Sequence, residues 1–483
     1  MSVLRNKTVS GVKWSAASQA GRLGTQLLTT VILARLLSPS DFGLVGMAMV
    51  VIGFINIFKD LGTSAAVIQR TKLSELLLSS IFWINAGFGL LVSLLLFFLA
   101  PLGGLLYQEP RVVPVLQVLS VSFFFSGLGI LQQALLERFI SFHKLAKLEV
   151  FSAFGGAVIG IGLAFAGAGV WSLVAQTLTT AFLSTILLWR SSSWRPQFLF
   201  DGKELLAVSQ FSLNLTGFNV FNYFARNADY FLIGRFLGAQ DLGYYTLAYR
   251  ILLFPIQNIS AVIGRVLYPV LSTIQNDNER FSSVYLNVVR HIALITFPLM
   301  LGVLALAKPF VLVLFGEKWQ PVILLIMILA PVSMIQSIGT TVGVIYQVKG
   351  KTDWLFKWGI GSGTLVVIMF FIGLQWGIVG MVVSYAAASL ILFYPSFYFP
   401  FRLISLPFSR FLKALQGSLI NGIIMFLLVL MGEVYFSGKI SNELLFLLLI
   451  FFGGIIYLGL NWIKNRNQIL ELWILLWQRN RSP

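Results

Sequence analysis

The chain repeats itself at a spacing of 200 residues. The segments 32–51 and 232–251 align without a gap, and the pairs that are not identical are mostly apolar in both copies. The identical pairs are Arg35 with Arg235, Leu37 with Leu237, Asp41 with Asp241, Gly43 with Gly243, and Ala48 with Ala248. An internal duplication explains a shared turn with its charges in register better than coincidence among apolar segments does.

Composition places the chain in a lipid bilayer. Hydrophobic residues make up 58% of it, charged residues 11%, and the mean hydropathy is +0.88, which leaves too little polar surface for a soluble domain of this size. Continuous apolar runs of about 20 residues suit helices, whereas barrel strands would alternate over about 10. We therefore expect an all-α polytopic membrane protein with about fourteen transmembrane helices.

The similarity continues along the chain at a spacing of 208 residues, which aligns Glu109 with Glu317 and Gly169 with Gly377. Two related halves within a membrane chain are typical of duplicated transporters. We predict two pseudo-symmetric six-helix lobes followed by two extra helices. The predicted domains are residues 1–204, residues 205–403, and residues 404–483 with the last helix pair and a basic cytoplasmic tail.

Basic residues predict the orientation of the bundle. Successive connections between the predicted helices lie alternately on the two sides of the membrane. Of the 34 Lys and Arg residues, 24 fall in or near connections on one side and six in or near those on the other. Short loops rich in Lys and Arg stay in the cytoplasm, so both termini are predicted to be cytoplasmic. The net charge of +17 reflects this asymmetry and an attraction to anionic lipid headgroups, and it does not imply nucleic-acid binding.

Four arginines fall inside predicted spans, where a charge is costly and normally faces a cavity or a partner. They are Arg22, Arg226, Arg250 and Arg265. Helical spacing also aligns polar residues on one face of the first predicted helix and of the seventh. These stripes contain Gln19, Arg22, Gln26, Asn219, Asn222, Arg226 and Asp229. If the halves are related by a pseudo-two-fold axis, the stripes converge on a central cationic cavity.

An anionic headgroup that carries phosphate is the ligand favoured by such a cavity. The guanidinium fork binds phosphate oxygens bidentately, and a low dielectric strengthens the attraction. Arg22, Arg226 and Arg250 are the candidate phosphate ligands, and Tyr223, near the stripe, is a candidate for stacking on sugars. Two structural alternatives remain open. Arg226 and Asp229 could form an interhelical pair that holds the halves together, and Arg250 lies near a helix end, where side chains snorkel.

Three segments resemble a known family. They are ARLLSPSDFGL at residues 34–44, FKDLGTSAAVIQR at residues 58–70, and LFGEKW at residues 314–319. Together with the repeat and the predicted spans, they make nearly the whole chain resemble the bacterial polysaccharide transporters, the oligosaccharide flippases that export O-antigen and exopolysaccharide. The superfamily of these proteins also contains the lipid II flippase and the multidrug and toxin extruders.

The resemblance implies a V-shaped, two-lobed bundle in the bacterial cytoplasmic, or inner, membrane that alternates between inward and outward openings. Its substrate would be a polyprenyl-diphosphate-linked oligosaccharide repeat unit, carried to the outer leaflet for surface polysaccharides such as lipopolysaccharide. In such proteins arginines of the central cavity are thought to hold the diphosphate, and Arg22 and Arg226 are the nearest candidates by motif position. Polysaccharide polymerase or export machinery would be a further partner. The family has no invariant substrate motif to transfer.

The sequence predicts no cofactor, no metal site and no enzymatic activity. It contains no cysteine and two isolated histidines, a poor set of metal ligands. It leaves no room for a separate nucleotide-binding domain, so we expect transport to be driven by an ion gradient or by consumption of the substrate on the far side. Asp229 is the acid within a span that could couple an ion or orient an arginine.

Two alternatives to a flippase belong to other functional classes. A cation-coupled multidrug antiporter of the same superfamily would share the repeat, but it would more often present acidic residues to a cationic substrate. A membrane glycan polymerase or ligase would be basic and polytopic too, with a long outward loop for its catalytic side chains. The sign of the buried charges and the short predicted outward connections favour the flippase.

Overall fold

A computed structural model describes residues 21, 24–58, 63–70, 73–139, 141–201 and 213–464. Within these ranges the regular structure is helical, apart from an isolated bridge between Ser437 and Ile440. The helices are α1 (residues 24–36), α2 (Pro39–Asn56), α3 (Thr63–Gln69), α4 (Glu75–Tyr107), α5 (Val112–Arg138), α6 (Phe142–Phe165), α7 (Val170–Ser191), α8 (Leu213–Phe236), α9 (Ala239–Thr273), α10 (Asn278–Ala305), α11 (Ala307–Leu314), α12 (Pro321–Gly339), α13 (Val342–Val348), α14 (Thr352–Leu374), α15 (Gly377–Leu403), α16 (Phe408–Phe436) and α17 (Asn442–Lys464), with a 3₁₀ turn at Glu317–Trp319.

Eleven helical segments in the described ranges are long and apolar enough to cross a membrane. They are α2, α4, α5, α6, α7, α10, the pair α12 with α13, and α14 to α17. Helices suit this environment because each backbone polar group finds its partner within the segment. The protein is therefore a multi-pass helical membrane protein. The other three predicted spans fall on α1, α8 and α9, of which α1 and α8 carry the polar stripes. The count of fourteen remains a prediction.

Two of the predicted spans, residues 42–68 and residues 322–348, each contain two helices in the structure. The predicted span 42–68 ends as α2 at Asn56, where the chain tightens into turns that bond three residues back before α3 begins. The predicted span 322–348 is broken between α12 and α13 at Thr340 and Thr341. The hydroxyls of these threonines bond to carbonyls three residues earlier, which competes with the helical pattern.

Positive φ angles recur at the spacing of 208 residues. Gln108 and Gly316 follow matching segments with φ angles of 54° and 91°, and Gly169 and Gly377 have φ angles of 55° and 67°. The left-handed region is costly for residues with a side chain. Gln108 occupies it at the end of α4, where its backbone N–H bonds to the last helical carbonyls. Residues with positive φ therefore stand at corresponding positions of the two copies.

By its contacts the chain divides into two compact units, Met1–Gly243 and Tyr244–Pro483. The division follows side-chain and helix packing, so the first unit contains α8 and the turn that begins α9. The predicted domains 1–204, 205–403 and 404–483 follow the sequence repeat and remain a prediction.

Close backbone approach defines the packing of α4 against α5 in the first unit. A Cβ added at Gly89 would lie 2.8 Å from the carbonyl oxygen of Phe123, and one added at Gly127 would lie 2.6 Å from that of Asn85. Asn85 is buried and shares two hydrogen bonds with the Thr63 hydroxyl of α3, at 3.0 and 3.2 Å. Small residues at the crossing and a buried polar bond are the means by which helices associate in lipid.

The last two helices belong to the second unit. The Tyr457 hydroxyl of α17 donates to the Leu294 carbonyl of α10 at 3.0 Å, and Asn421 of α16 donates to Asn461 of α17 at 3.0 Å. All these side chains are buried. Because polar bonds between helices are strongly directional in apolar surroundings, they fix α16 and α17 to α10.

Candidate functional site

The predicted site residues are distributed over both units. The side chains that lie outside the described part of the chain are those of Gln19, Arg22, Asn219 and Asn222. Gln26 is exposed on α1 in the first unit, and Arg250 is exposed on α9 in the second. Tyr223, Arg226 and Asp229 are described together on α8. The convergence of the two stripes on one cavity remains a prediction.

Helix α8 presents an exposed cation and a buried acid on one face. The Arg226 side chain is exposed, whereas Asp229 is only 4% exposed. Residues three apart on a helix are neighbours. One carboxylate oxygen of Asp229 accepts the backbone N–H of Tyr230 at 2.8 Å. A buried carboxylate in a membrane helix is costly and needs a partner or a proton. The roles of Asp229 as a coupling or orienting acid and of Arg226 as a phosphate ligand remain predictions.

Tyr223 joins α8 to α2. Its hydroxyl donates to the Val50 carbonyl at 2.6 Å, and its ring lies 6.2 Å from that of Phe54. Phe224 packs on the same Phe54 ring at 5.1 Å. A Cβ at Gly53 would overlap the Tyr223 hydroxyl, so this glycine makes room for the bond. The structure thus gives Tyr223 a packing partner, and its contact with sugar remains a prediction.

The two copies of the repeated turn cross each other, an arrangement we call the turn crossing (residues 39–43 and 239–243). A Cβ added at Gly43 would overlap the carbonyl oxygen of Ala239, and one added at Gly243 would overlap that of Pro39. Positions 43 and 243 are repeat mates, and so are 39 and 239. Each copy therefore makes the same contact with the other, as in an isologous two-fold interface.

The sequence segment 32–324 matches the model of a family described as polysaccharide biosynthesis protein. The chain belongs to this family. This confirms the family predicted from the sequence. The lipopolysaccharide biosynthesis protein WzxC of Escherichia coli (strain K12) is 28% identical over 391 residues, which cover 80% of each chain. The succinoglycan biosynthesis transport protein ExoT of Rhizobium meliloti (strain 1021) is 35% identical over 316 residues, which cover 65% of this chain and 64% of ExoT.

The fold of this polysaccharide biosynthesis protein is also found among solved structures. Lipid II flippase MurJ in an inward closed conformation superposes with a TM-score of 0.75 at 17% identity, over 95% of this chain and 100% of the MurJ chain. An inward-facing multidrug resistance transporter of the MATE family superposes with a TM-score of 0.63 at 16% identity, over 79% of this chain and 94% of the other. At these identities the likeness shows a shared helical fold.

Arg235 links α8 to the end of α4 in this protein. Its guanidinium donates to the Leu105 carbonyl at 3.1 Å, and the Gln108 amide oxygen, oriented towards it, accepts at 3.0 Å. Beneath it, Gly234 lets the Tyr107 ring approach closely, since a Cβ there would lie 2.9 Å from that ring. A cation at the C-terminal carbonyls of a helix is favourable. Helix α8 is therefore held to α4 beside the turn crossing, on the predicted outward side.

A salt bridge follows directly after α4. Arg111 donates to the Glu109 carboxylate from Nη2 at 2.8 Å and from Nε at 2.9 Å. The hydrogen bond from Arg111 lowers the pKa of the Glu109 carboxyl below its ordinary value, and the same bond raises the pKa of Arg111. Because Arg111 is 62% exposed, solvent screens the pair, and we expect it to contribute less than about 1 kcal/mol.

This pair predicts a small pH dependence of stability. A lowered carboxyl pKa stabilises the folded state above the ordinary glutamate pKa of about 4.3, and that contribution is lost as the pH falls through the lowered value. The melting temperature of Glu109→Gln in detergent should lie slightly below that of the wild type at pH 7 and equal it at acidic pH. A difference that persists unchanged in acid would show that the charge of Glu109 is not its cause. Arg111→Gln is the matched control, since it removes the same bond.

Sequence reasoning identified the residues of the turn crossing as part of a repeat but missed their contact. Asp41 begins α2 as part of a capping box: its carboxylate accepts from the Ser38 backbone N–H at 2.9 Å, and its own N–H donates to the Ser38 hydroxyl at 3.3 Å. The signal that could have revealed the contact is the glycine two residues after each aspartate, because an identical glycine in both copies is consistent with one shared close approach.

Proposed function

We propose that this protein is a flippase that moves a lipid-linked oligosaccharide from the cytoplasmic to the outer leaflet of the bacterial cytoplasmic membrane by alternating access. Family membership supports a role in polysaccharide biosynthesis, and the name of ExoT, a succinoglycan biosynthesis transport protein, supports transport. The fold is shared with a protein titled lipid II flippase. The observation that carries the proposal is the exposed Arg226 guanidinium on the polar face of α8, which suits a diphosphate bound bidentately.

The substrate diphosphate is assigned to Arg22, Arg226 and Arg250. Around it, a polar lining would contact the sugars and the linking oxygens; it comprises Gln19, Gln26, Asn219, Asn222 and Tyr223. Asp229 would either couple an ion or orient one of the arginines. The activity is transport, with no bond made or broken in the substrate. Polysaccharide polymerase or export machinery would take up the flipped product.

The proposed topology places both termini in the cytoplasm. It comprises fourteen spans in two six-helix lobes and a final pair, in line with the distribution of Lys and Arg over the connections.

The functional class can be tested in host cells that lack the protein. We expect undecorated lipid-linked repeat units to accumulate on the cytoplasmic face, because synthesis continues while export stops. The measurement is the amount of lipid-linked oligosaccharide and the leaflet in which it resides, with and without a plasmid copy. An unchanged lipid-linked pool together with altered tolerance of cationic drugs would contradict the proposal and favour a multidrug antiporter. The buried Asp229 carboxylate would also suit a transporter of that class.

Asp229→Asn is expected to uncouple transport from an ion gradient. The substitution keeps the shape of the buried side chain but removes the charge that would bind a proton or a cation. Reconstituted protein should then move substrate at a rate that no longer responds to an imposed proton or sodium gradient, whereas the wild type responds. If the asparagine variant retains the gradient dependence of the wild type, Asp229 is not the coupling residue.

A further inference from the structure

The connector after α7 (residues 192–201) is strapped to the beginning of α4. The Trp83 indole N–H donates to the Gln197 carbonyl at 2.8 Å, and the backbone N–H of Gln197 donates to the Ser79 hydroxyl at 3.2 Å. Further along, the backbone N–H of Asp201 donates to the Ser80 hydroxyl at 2.9 Å. These bonds lie entirely in the first unit. They hold ten non-helical residues in a defined path along α4.

The strapped connector displays three consecutive apolar side chains. Phe198 is 93% exposed, Leu199 40% and Phe200 63%. The Phe198 ring stacks on Trp83 at 5.2 Å with its plane tilted by 22°, so one face of it is covered and the rest points away from the protein. Three adjacent exposed apolar residues in an ordered segment normally mark a surface that binds something apolar.

The length of α4 determines what covers this surface. Its 33 residues span about 50 Å at 1.5 Å per residue, whereas the hydrocarbon core is about 30 Å thick. A centred helix therefore extends about 10 Å beyond the core at each end. Trp83 lies eight residues from the start, or about 12 Å along the axis. The level of Trp83, and of the Phe198 ring stacked on it, is the boundary between acyl chains and headgroups.

The surrounding side chains match that boundary. Trp194 donates its indole N–H to the Glu75 carboxylate at 2.9 Å, and Trp189 donates to the Leu128 carbonyl at 2.9 Å, which leaves their apolar rings at the same end of the bundle. Tryptophan is enriched at this depth because one end of the ring is apolar and the other polar. Arg190 is exposed beside the run, as expected of a long cation near the headgroups. The Arg195 guanidinium instead folds back on the connector, where it donates to the Ser192 carbonyl at 2.7 Å and to the Trp194 carbonyl at 2.8 Å.

We infer that residues 198–200 form an interfacial anchor that inserts into the headgroup and acyl boundary of the leaflet in which α4 begins. The occupant of the exposed apolar surface is the bilayer itself. The connector that leads from the first sequence repeat to the second is thereby fixed on one side to α4 and on the other to the membrane. It moves with α4 during transport, and the inference does not depend on which substrate is carried.

The absence of cysteine from the sequence makes the test direct. Phe198→Cys and, as a second site, Phe200→Cys are labelled with a nitroxide in the full-length protein and reconstituted in vesicles of phosphatidylethanolamine and phosphatidylglycerol. Collision rates with oxygen, which partitions into the bilayer, and with a water-soluble nickel chelate report depth. We expect oxygen to relax both labels several-fold more than the chelate does. Ser193→Cys, exposed on the same connector, is the control and should show the opposite order.

The anchor is overturned if the labels at positions 198 and 200 both collide with the chelate as often as the label at 193 does. The apolar residues 198–200 would then be assigned to contact with a protein partner. Trp83→Ala removes both the hydrogen bond to Gln197 and the ring beneath Phe198. If the strap sets the depth, this variant should shift the label at 200 towards the aqueous phase, and an unchanged depth would contradict the role of α4.

Discussion

Gly43→Ala is expected to reduce transport by roughly ten- to a hundredfold. The added methyl group would overlap the Ala239 carbonyl oxygen. In every state of the transport cycle in which the two turns touch, they would have to move apart to accommodate it. Overpacking of a close contact costs about 1–3 kcal/mol, and each 1.4 kcal/mol changes a population about tenfold. The measurement is transport of lipid-linked oligosaccharide, together with the distance between nitroxides at Leu36→Cys and Gln240→Cys, which should lengthen.

The repeat supplies a strict control for this prediction. Gly243→Ala should reproduce the effect of Gly43→Ala, because the mate glycine meets the mate carbonyl, that of Pro39. Gly87→Ala on α4 should leave transport unchanged, since the added methyl group meets no atom within 4 Å. A Gly43→Ala variant with normal transport and an unchanged label distance would show that the turn crossing need not close.

Arg226→Ala is expected to lower the affinity for the diphosphate substrate by about ten- to a hundredfold. A hydrogen bond to a charged group is worth about 1.5–3 kcal/mol, and a bidentate guanidinium contact adds geometric specificity. Arg226→Lys should recover part of the affinity, because it restores the charge but not the fork. Transport rates at increasing substrate concentration, in membranes with matched protein levels, separate a loss of affinity from a loss of maximal rate.

Arg410→Ala is the matched control for Arg226, because Arg410 is an exposed arginine in the first turn of α16, away from α8 along the chain. It should behave as the wild type does. Equal affinities for the Arg226→Ala and Arg410→Ala variants would contradict a diphosphate contact at Arg226. A loss of folded protein in the Arg226→Ala variant would instead favour the structural pairing of Arg226 with Asp229.

The sequence predicted the helical class well because it rests on a local pattern, the apolar runs that set the spans. The two lobes inferred from the repeat stay a prediction, although residues with positive φ stand at the corresponding positions Gln108 and Gly316. The breaks in two spans were not predictable from hydropathy, since Thr340 and Thr341 are as compatible with an apolar run as with a helix end. Their effect comes from hydroxyls bonded to carbonyls three residues earlier.

The candidate site could be predicted as a set of residue types but not as a geometry. The stripe of α8 follows from helical periodicity, and the burial of Asp229 beside the exposed Arg226 does not, because burial depends on what packs against each face. The strap of residues 192–201 was likewise invisible, since Trp83 and Gln197 meet across more than a hundred residues. Long-range contacts of this kind require a structure.

By this proposal, the protein itself moves a lipid-linked oligosaccharide across a bilayer. The most direct measurement uses proteoliposomes that contain the purified protein and a polyprenyl-diphosphate-linked oligosaccharide, with a glycan-cleaving enzyme added outside. We expect wild-type and Arg410→Ala protein to make the inner-leaflet pool accessible to cleavage, and Arg226→Ala protein to do so much more slowly. If cleavage with the wild-type protein stops at the outer-leaflet fraction, as it does in protein-free vesicles, that result contradicts the proposed flippase activity.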